Sequence, residues 1–180
     1  MIGESVRLLR EAVNRRDVKD RLKQDLPRWK QLCSSMDAIG DTDFAVAAFL
    51  QWPPTEDTGQ LYLLTYGLLQ VLYVQQDAVR HAAEAVGLKW EDSEALKNVR
   101  DVRNKAIGHP TKRDRGPWKD KPESFGIVQH SMSHETFELY SSHWNELPRT
   151  VRLRDLIEAH GTALTRVLGG IIRHLDGQAG

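Results

Sequence analysis

Arg103-Asn104-Lys105-Ala106-Ile107-Gly108-His109-Pro110 closes a helix and gathers a cation, an amide and an imidazole in eight residues. Upstream, Ala95, Val99, Val102 and Ala106 recur at helical spacing, and Leu96 and Ile107 widen the stripe. The segment therefore predicts an amphipathic helix with one face buried, and Asp92 or Ser93 is placed to cap its start. Gly108 supplies a stop residue, and Pro110 cannot continue the helix. In an unbroken helix six residues separate Arg103 from His109 by about 240° and roughly 9 Å along the axis. The two share a site only if Gly108 turns His109 back, or if a second copy of the chain completes it.

Working outward, the preceding segment predicts a long helix over residues 58–86, closed by Gly87. Its first half, from Leu61 to Val74, is apolar on nearly every side, as in the central helix of a bundle or a dimer interface. With Thr65, Gly67 and Gln70 inside it, that run is too short and too polar for a bilayer, which needs ~20 apolar residues. No membrane association is expected. Residues 4–23 read as a first helix carrying Val6, Leu9 and Val13. Pro27 opens a second, through about Ile39, where Gly40 stops it. Asp41 or Thr42 then caps a short helix through Leu50, and Trp52-Pro53-Pro54 is a stiff connector. Beyond the motif, residues 111–124 are a loop rich in Lys, Arg, Asp, Gly and Pro. Residues 125–130 and 136–140 read as a β-hairpin, and Pro148 precedes a last helix over 153–175. The expectation is a single domain over 1–180: a mostly α helical bundle with a small β-hairpin insertion before the last helix.

The 180 residues suit one domain with a real core. Lys plus Arg and Asp plus Glu are each 25, so no global field advertises a polyanion partner. Charge is uneven, however. Lys112, Arg113, Arg115, Lys119 and Lys121 outnumber Asp114 and Asp120, while residues 41–60 carry Asp41, Asp43, Glu56 and Asp57 and no Lys or Arg. A nucleic-acid contact is thus expected to be local and just past the motif. Cys33 is the only cysteine, so no intrachain disulfide forms, and a reducing, cytoplasmic location is expected. The N-terminus is charged and lacks the apolar run of a signal peptide.

The Arg103-Asn104 pair, the short apolar spacer and His109-Pro110 at a helix end resemble the motif of the HEPN superfamily, which is Arg, four to six residues, then His, often with Asn after the Arg. The spacer here, Asn104 to Gly108, lies inside that range. The resemblance is strongest over residues 58–110 and takes in Tyr73-Val74-Gln75-Gln76-Asp77-Ala78-Val79-Arg80-His81. It implies an all-helical bundle, usually dimeric, and for many members a metal-independent endoribonuclease of toxin or phage-defence systems. It also implies RNA as substrate, no cofactor or metal, and a cognate antitoxin or defence partner. Other members bind RNA, a nucleotide or a protein without cleaving. In one toxin branch a Tyr two residues past the His is modified by a partner nucleotidyltransferase; this chain departs from that branch with Thr111.

The chemistry fits those residue types. Cleavage by the 2′-OH needs a proton acceptor, charge relief on the phosphorane and a proton for the leaving oxygen. His109 titrates near neutrality, Arg103 grips phosphate bidentately, and Asn104 can orient the imidazole or the substrate. Asp77 is placed to pair with Arg103, or alternatively with Arg80, within a ladder of Tyr66, Gln70, Tyr73, Asp77 and Arg80 or His81 at three- and four-residue steps. Lys112, Arg113 and Arg115 are expected to bind RNA phosphates, and Trp118 to stack a base or to pin the loop to the core. His130, His134 and His143 lack acidic or Cys co-ligands, so a metal site there is not expected. The alternatives left open are a non-catalytic HEPN-like binding module, a structural helical adaptor, and a plain helix end where Arg103 pairs with Asp101.

Overall fold

The computed structural model describes residues 2–108, 123–142 and 147–177. The stripe of Val6, Leu9 and Val13 forms α1 (Gly3–Asn14). A break follows at Arg15, whose ψ of 137° is extended, before α2 (Arg16–Leu22). The single helix expected over 4–23 is thus two. Continuing the first helix would place Val18 about 140° off the stripe of Val13, whereas the break lets Val18 reach the core with no exposed surface.

The second departure is α3 (Leu26–Gln51), one helix where two were expected. Asp25 caps it by accepting the Arg28 N–H at 3.2 Å, and Pro27 sits in the first turn. The helix runs straight through Gly40. Arg10 lies over that position, its Nη2 donating to the Met36 carbonyl at 3.0 Å and pairing with Asp37 at 2.9 Å. The Thr42 hydroxyl donates back to the Ala38 carbonyl at 2.7 Å instead of capping a new helix. Buried Leu32, Met36, Ile39, Val46 and Phe49 hold both halves against the next helix, and such tertiary packing overrides the roughly 1 kcal/mol penalty of a mid-helix glycine.

That next helix, α4 (Thr58–Ala85), begins with Asp57 accepting the Gln60 N–H at 2.7 Å. It ends at Gly87, which takes φ +83°. Gly87 N–H donates to Glu84 O and Leu88 N–H to Ala83 O, the paired pattern that a left-handed C-terminal glycine permits. α5 (Glu94–Arg103) buries Leu96, Val99 and Val102. A small antiparallel sheet follows, ordered β1 (Phe125–Ile127), β2 (Thr136–Ser141), β3 (Arg149–Arg152). The expected hairpin is present, with Phe125 opposite Ser141 and Ile127 opposite Leu139. A third strand pairs Phe137 with Val151 and leads directly into α6 (Leu153–Gly177). The protein is therefore mostly α-helical with a small sheet before the final helix.

Two cores stack along the long helices. One joins α1, α2, the first half of α3 and the ends of α4 and α6. The other joins Val46 and Phe49 with Leu68, Leu69, Leu72, Val99, Val102, Phe137, Val151 and Leu156. Among the described residues no helix is long and apolar enough to cross a membrane.

His160 of α6 sits in this interior, 1% exposed. One ring N–H donates to the Leu72 carbonyl, and burial pushes its pKa down to about 4. A histidine held neutral in the fold but titrating near 6.5 when unfolded takes up its proton preferentially in the unfolded chain. Its contribution is intact above pH 6.5 and is lost as pH falls toward 4. Urea denaturation of wild type should lose a few kcal/mol more stability between pH 7 and 4 than His160→Leu does. Parallel pH profiles for the two proteins would remove this histidine as the cause.

Candidate functional site at the end of α5

α5 presents Val99 and Val102 to the core, which leaves Arg100 and Arg103, one turn apart, on the flank facing α4. Both guanidinium groups lie over the Tyr73 ring, at 4.7 Å for Arg103 and 5.9 Å for Arg100. Gln70, one turn earlier on α4, accepts two N–H groups from Arg103, at 3.2 Å from Nε and 3.0 Å from Nη2. Asn104 accepts a third, from Nη1 at 3.0 Å. The amide expected to orient the histidine or the substrate thus orients the arginine beside it. A half-buried guanidinium is fixed on three sides by neutral groups.

The backbone changes register at this point. From Asn104 to Gly108 it forms a π-helical turn, an i→i+5 widening found often at functional sites. Gly108, expected to stop the helix, is the last residue of this turn and does not take the left-handed conformation of Gly87. The glycine is needed for a different reason: a Cβ there would lie 2.8 Å from Arg103 Nη1 and 3.1 Å from Asn104 Oδ1. The wider turn brings the chain back against the arginine head, so a side chain at 108 would displace the guanidinium from this position. On the far side Lys105 pairs with Asp101 at 3.0 Å and lies 5.1 Å over the Phe125 ring of β1, which seats the turn between α4 and the sheet.

The carboxylates are distributed to other cations. Asp77 pairs with Arg80 at 2.6 Å, with His81 at 4.0 Å, and not with Arg103. Asp101 serves Lys105 and, at 3.9 Å, Arg149. Asp92 serves Arg100 at 3.3 Å. Arg103 forms no salt bridge among the described residues, and its positive charge stays available. His109, Lys112, Arg113, Arg115 and Trp118 lie outside the described residues, as does His143. His134 stacks on Phe49 with centroids 5.0 Å apart, and among the described residues no group of three His, Cys, Asp or Glu side chains is placed to hold a metal. Sequence reasoning named Arg103 and Asn104 but missed Gln70 and Tyr73 as the groups that hold the arginine. The signal was their spacing: both belong to the ladder of polar residues along α4.

No family model, curated protein or solved structure matches this chain.

Gln70 and Arg103 should be thermodynamically coupled. A double-mutant cycle on Gln70→Ala and Arg103→Ala is expected to give roughly 1–2 kcal/mol, the range for hydrogen bonds to a charged group that is partly exposed. Additivity of the two substitutions would show that the amide does not hold the guanidinium.

Proposed function

We propose that the chain is a metal-independent endoribonuclease of HEPN type, a toxin or phage-defence effector that cleaves RNA at a dimer cleft. The observation that carries this reading is Arg103, whose guanidinium is positioned by Gln70, Asn104 and Tyr73 while no described carboxylate neutralises it. A cation aimed this way is suited to a phosphate oxygen. In the reaction the 2′-oxygen attacks phosphorus, forming the 2′,3′-cyclic phosphate as the bond to the 5′-oxygen breaks. Arg103 offsets charge on the phosphorane. His109 takes the 2′-OH proton, and the imidazole of a second copy returns one to the leaving 5′-oxygen.

One subunit carries a single copy of the motif, so a two-fold dimer supplies both proton acceptor and donor. The surface favours such a dimer. Leu63 is 74% exposed, Tyr66 39% and Val74 38%, and all three share the α4 face of Gln70 at four- and seven-residue steps. A stripe of large apolar side chains beside Arg103 is the surface expected at an interface between copies. Lys112, Arg113 and Arg115 follow the motif in sequence and would add phosphate contacts. The reading also calls for a cognate antitoxin or defence partner to hold the activity in check.

Purified protein should cut total RNA in EDTA. Arg103→Ala and His109→Ala, each assayed well below its own melting temperature, should slow cleavage about 10²–10⁴-fold. Undiminished cleavage by either variant would remove that residue from the reaction. RNA binding without cleavage by wild type would leave a non-catalytic binding module instead.

The basic segment should contribute affinity rather than chemistry. Neutralising Lys112, Arg113 and Arg115 together is expected to flatten the slope of log K against log salt by about 2 on single-stranded RNA. An unchanged slope would show that these residues do not touch phosphates.

A further inference from the structure

Next to Arg103, on the other flank of Tyr73, a groove of about 290 Å³ opens between α3 and α4. Its α3 wall is made of Ser34, Ser35 and Ala38, and its α4 wall of Tyr73, Asp77 and His81. The groove exists because Ser34, Ser35 and Ala38 leave space on the α3 side where the two longest helices pack together. We propose that it binds a guanine base of the RNA whose phosphate is held by Arg103. This proposal deepens the ribonuclease reading and rests on it for the identity of the ligand.

Three observations select the occupant. First, Tyr73 is shared: it lines the groove and carries the Arg103 guanidinium 4.7 Å from its ring centroid. A nucleotide with phosphate at Arg103 therefore has its base at the groove mouth. Along α4, Gln70 and Asp77 are two turns apart, about 10 Å by helix rise, which is the separation a phosphate and the far edge of its base require. Second, the walls expose mainly apolar surface, the Tyr73 ring among it, and the volume lies near the small end of ligand sites. That suits a planar heterocycle, and unstacked bases are commonly received on aromatic side chains.

Third, among the side chains that line the groove Asp77 is the one carboxylate. Arg80 engages Asp77 Oδ1 at 2.6 Å, and His81 Nδ1 lies 4.0 Å from Oδ2. A carboxylate accepts hydrogen bonds and donates none. Guanine alone among the four bases places two N–H donors, N1–H and N2–H, side by side on its Watson–Crick edge. Adenine and cytosine would set a ring-nitrogen acceptor against the carboxylate, and uracil would set a carbonyl on either side of its single N–H. The Arg80 pair holds the Asp77 carboxylate on the groove wall, where it can accept both donors of that edge.

The test is equilibrium binding of GMP and AMP to the full-length protein, followed by calorimetry or nuclear magnetic resonance. Wild type should bind GMP at least about ten-fold more tightly than AMP, the discrimination of one bidentate contact. Asp77→Asn, which replaces one acceptor oxygen by a donor, should bring GMP down to the AMP level and leave AMP unchanged. Ser34→Phe, at an exposed position on the groove wall, should block both nucleotides while Asp77 and Arg80 stay in place. It keeps the test decisive if Asp77→Asn fails to fold. Arg103→Ala should weaken both nucleotides equally, through their common phosphate. Equal wild-type affinities for GMP and AMP, no binding of either, or a GMP preference that survives both groove variants would overturn the assignment. Because the readout is binding, a GMP preference in a protein that fails to cut RNA in EDTA would retain the base site and reject only catalysis.

Discussion

The packing of α3 along α4 is the constraint from which the rest of the structure follows. α4 buries Leu68, Leu69 and Leu72 in one core and Ala78, Val79, Ala82 and Ala83 in the other, so it is the axis on which α5, α6 and the sheet are assembled. The rest of α4 stays partly open to polar groups. Among its polar side chains Gln70, Tyr73, Asp77 and His81 follow one another at three- and four-residue steps on one strip. The strip lies between α5 on one flank and α3 on the other. The arginine site and the adjoining groove thus share one origin, a polar strip of α4 that packing leaves partly accessible.

Much of this was legible in the sequence, and the misses have definite physical causes. The bounds of α4 followed from the apolar run and Gly87, because the closing glycine and the periodicity agree there. Gly40 misled in the opposite direction. A glycine reads as a helix stop when only local propensity is weighed, yet the core contacts of Ile39 and Val46 on either side hold the helix continuous. Arg15 shows the reverse: nothing local breaks the helix, and the break is set by the need to bring Val18 inside. β3 went unread because Arg149-Thr150-Val151-Arg152 buries only Val151, and a single inward residue gives no alternation to detect. Within the site, Arg103 and Asn104 were legible as a motif. The π-helical turn was not, since it depends on Gly108 meeting a side chain five residues earlier rather than on any residue's own preference.

The turn also explains how one short motif does two jobs. In an α-helix a residue at position 108 would sit past the arginine, further along the axis and rotated away from it. Widening the turn slows the rotation per residue, so Asn104 and Gly108 both come to the arginine head. Asn104 supplies an acceptor at 3.0 Å, and Gly108 supplies the absence of a side chain. Either replacement, an apolar residue at 104 or any Cβ at 108, would move the same guanidinium.

The choice of partners then decides what that guanidinium is able to do. A salt bridge would hold Arg103 as firmly, but it would also cancel the charge that an anionic ligand needs. The described acids nearby are each committed elsewhere, Asp77 to Arg80, Asp92 to Arg100 and Asp101 to Lys105. Gln70 and Asn104 accept hydrogen bonds without carrying charge, and the Tyr73 ring offers only its quadrupole. The arginine is therefore oriented without being neutralised. An arginine whose role was only to seal a helix end would have no need of that separation; one that receives a phosphate depends on it.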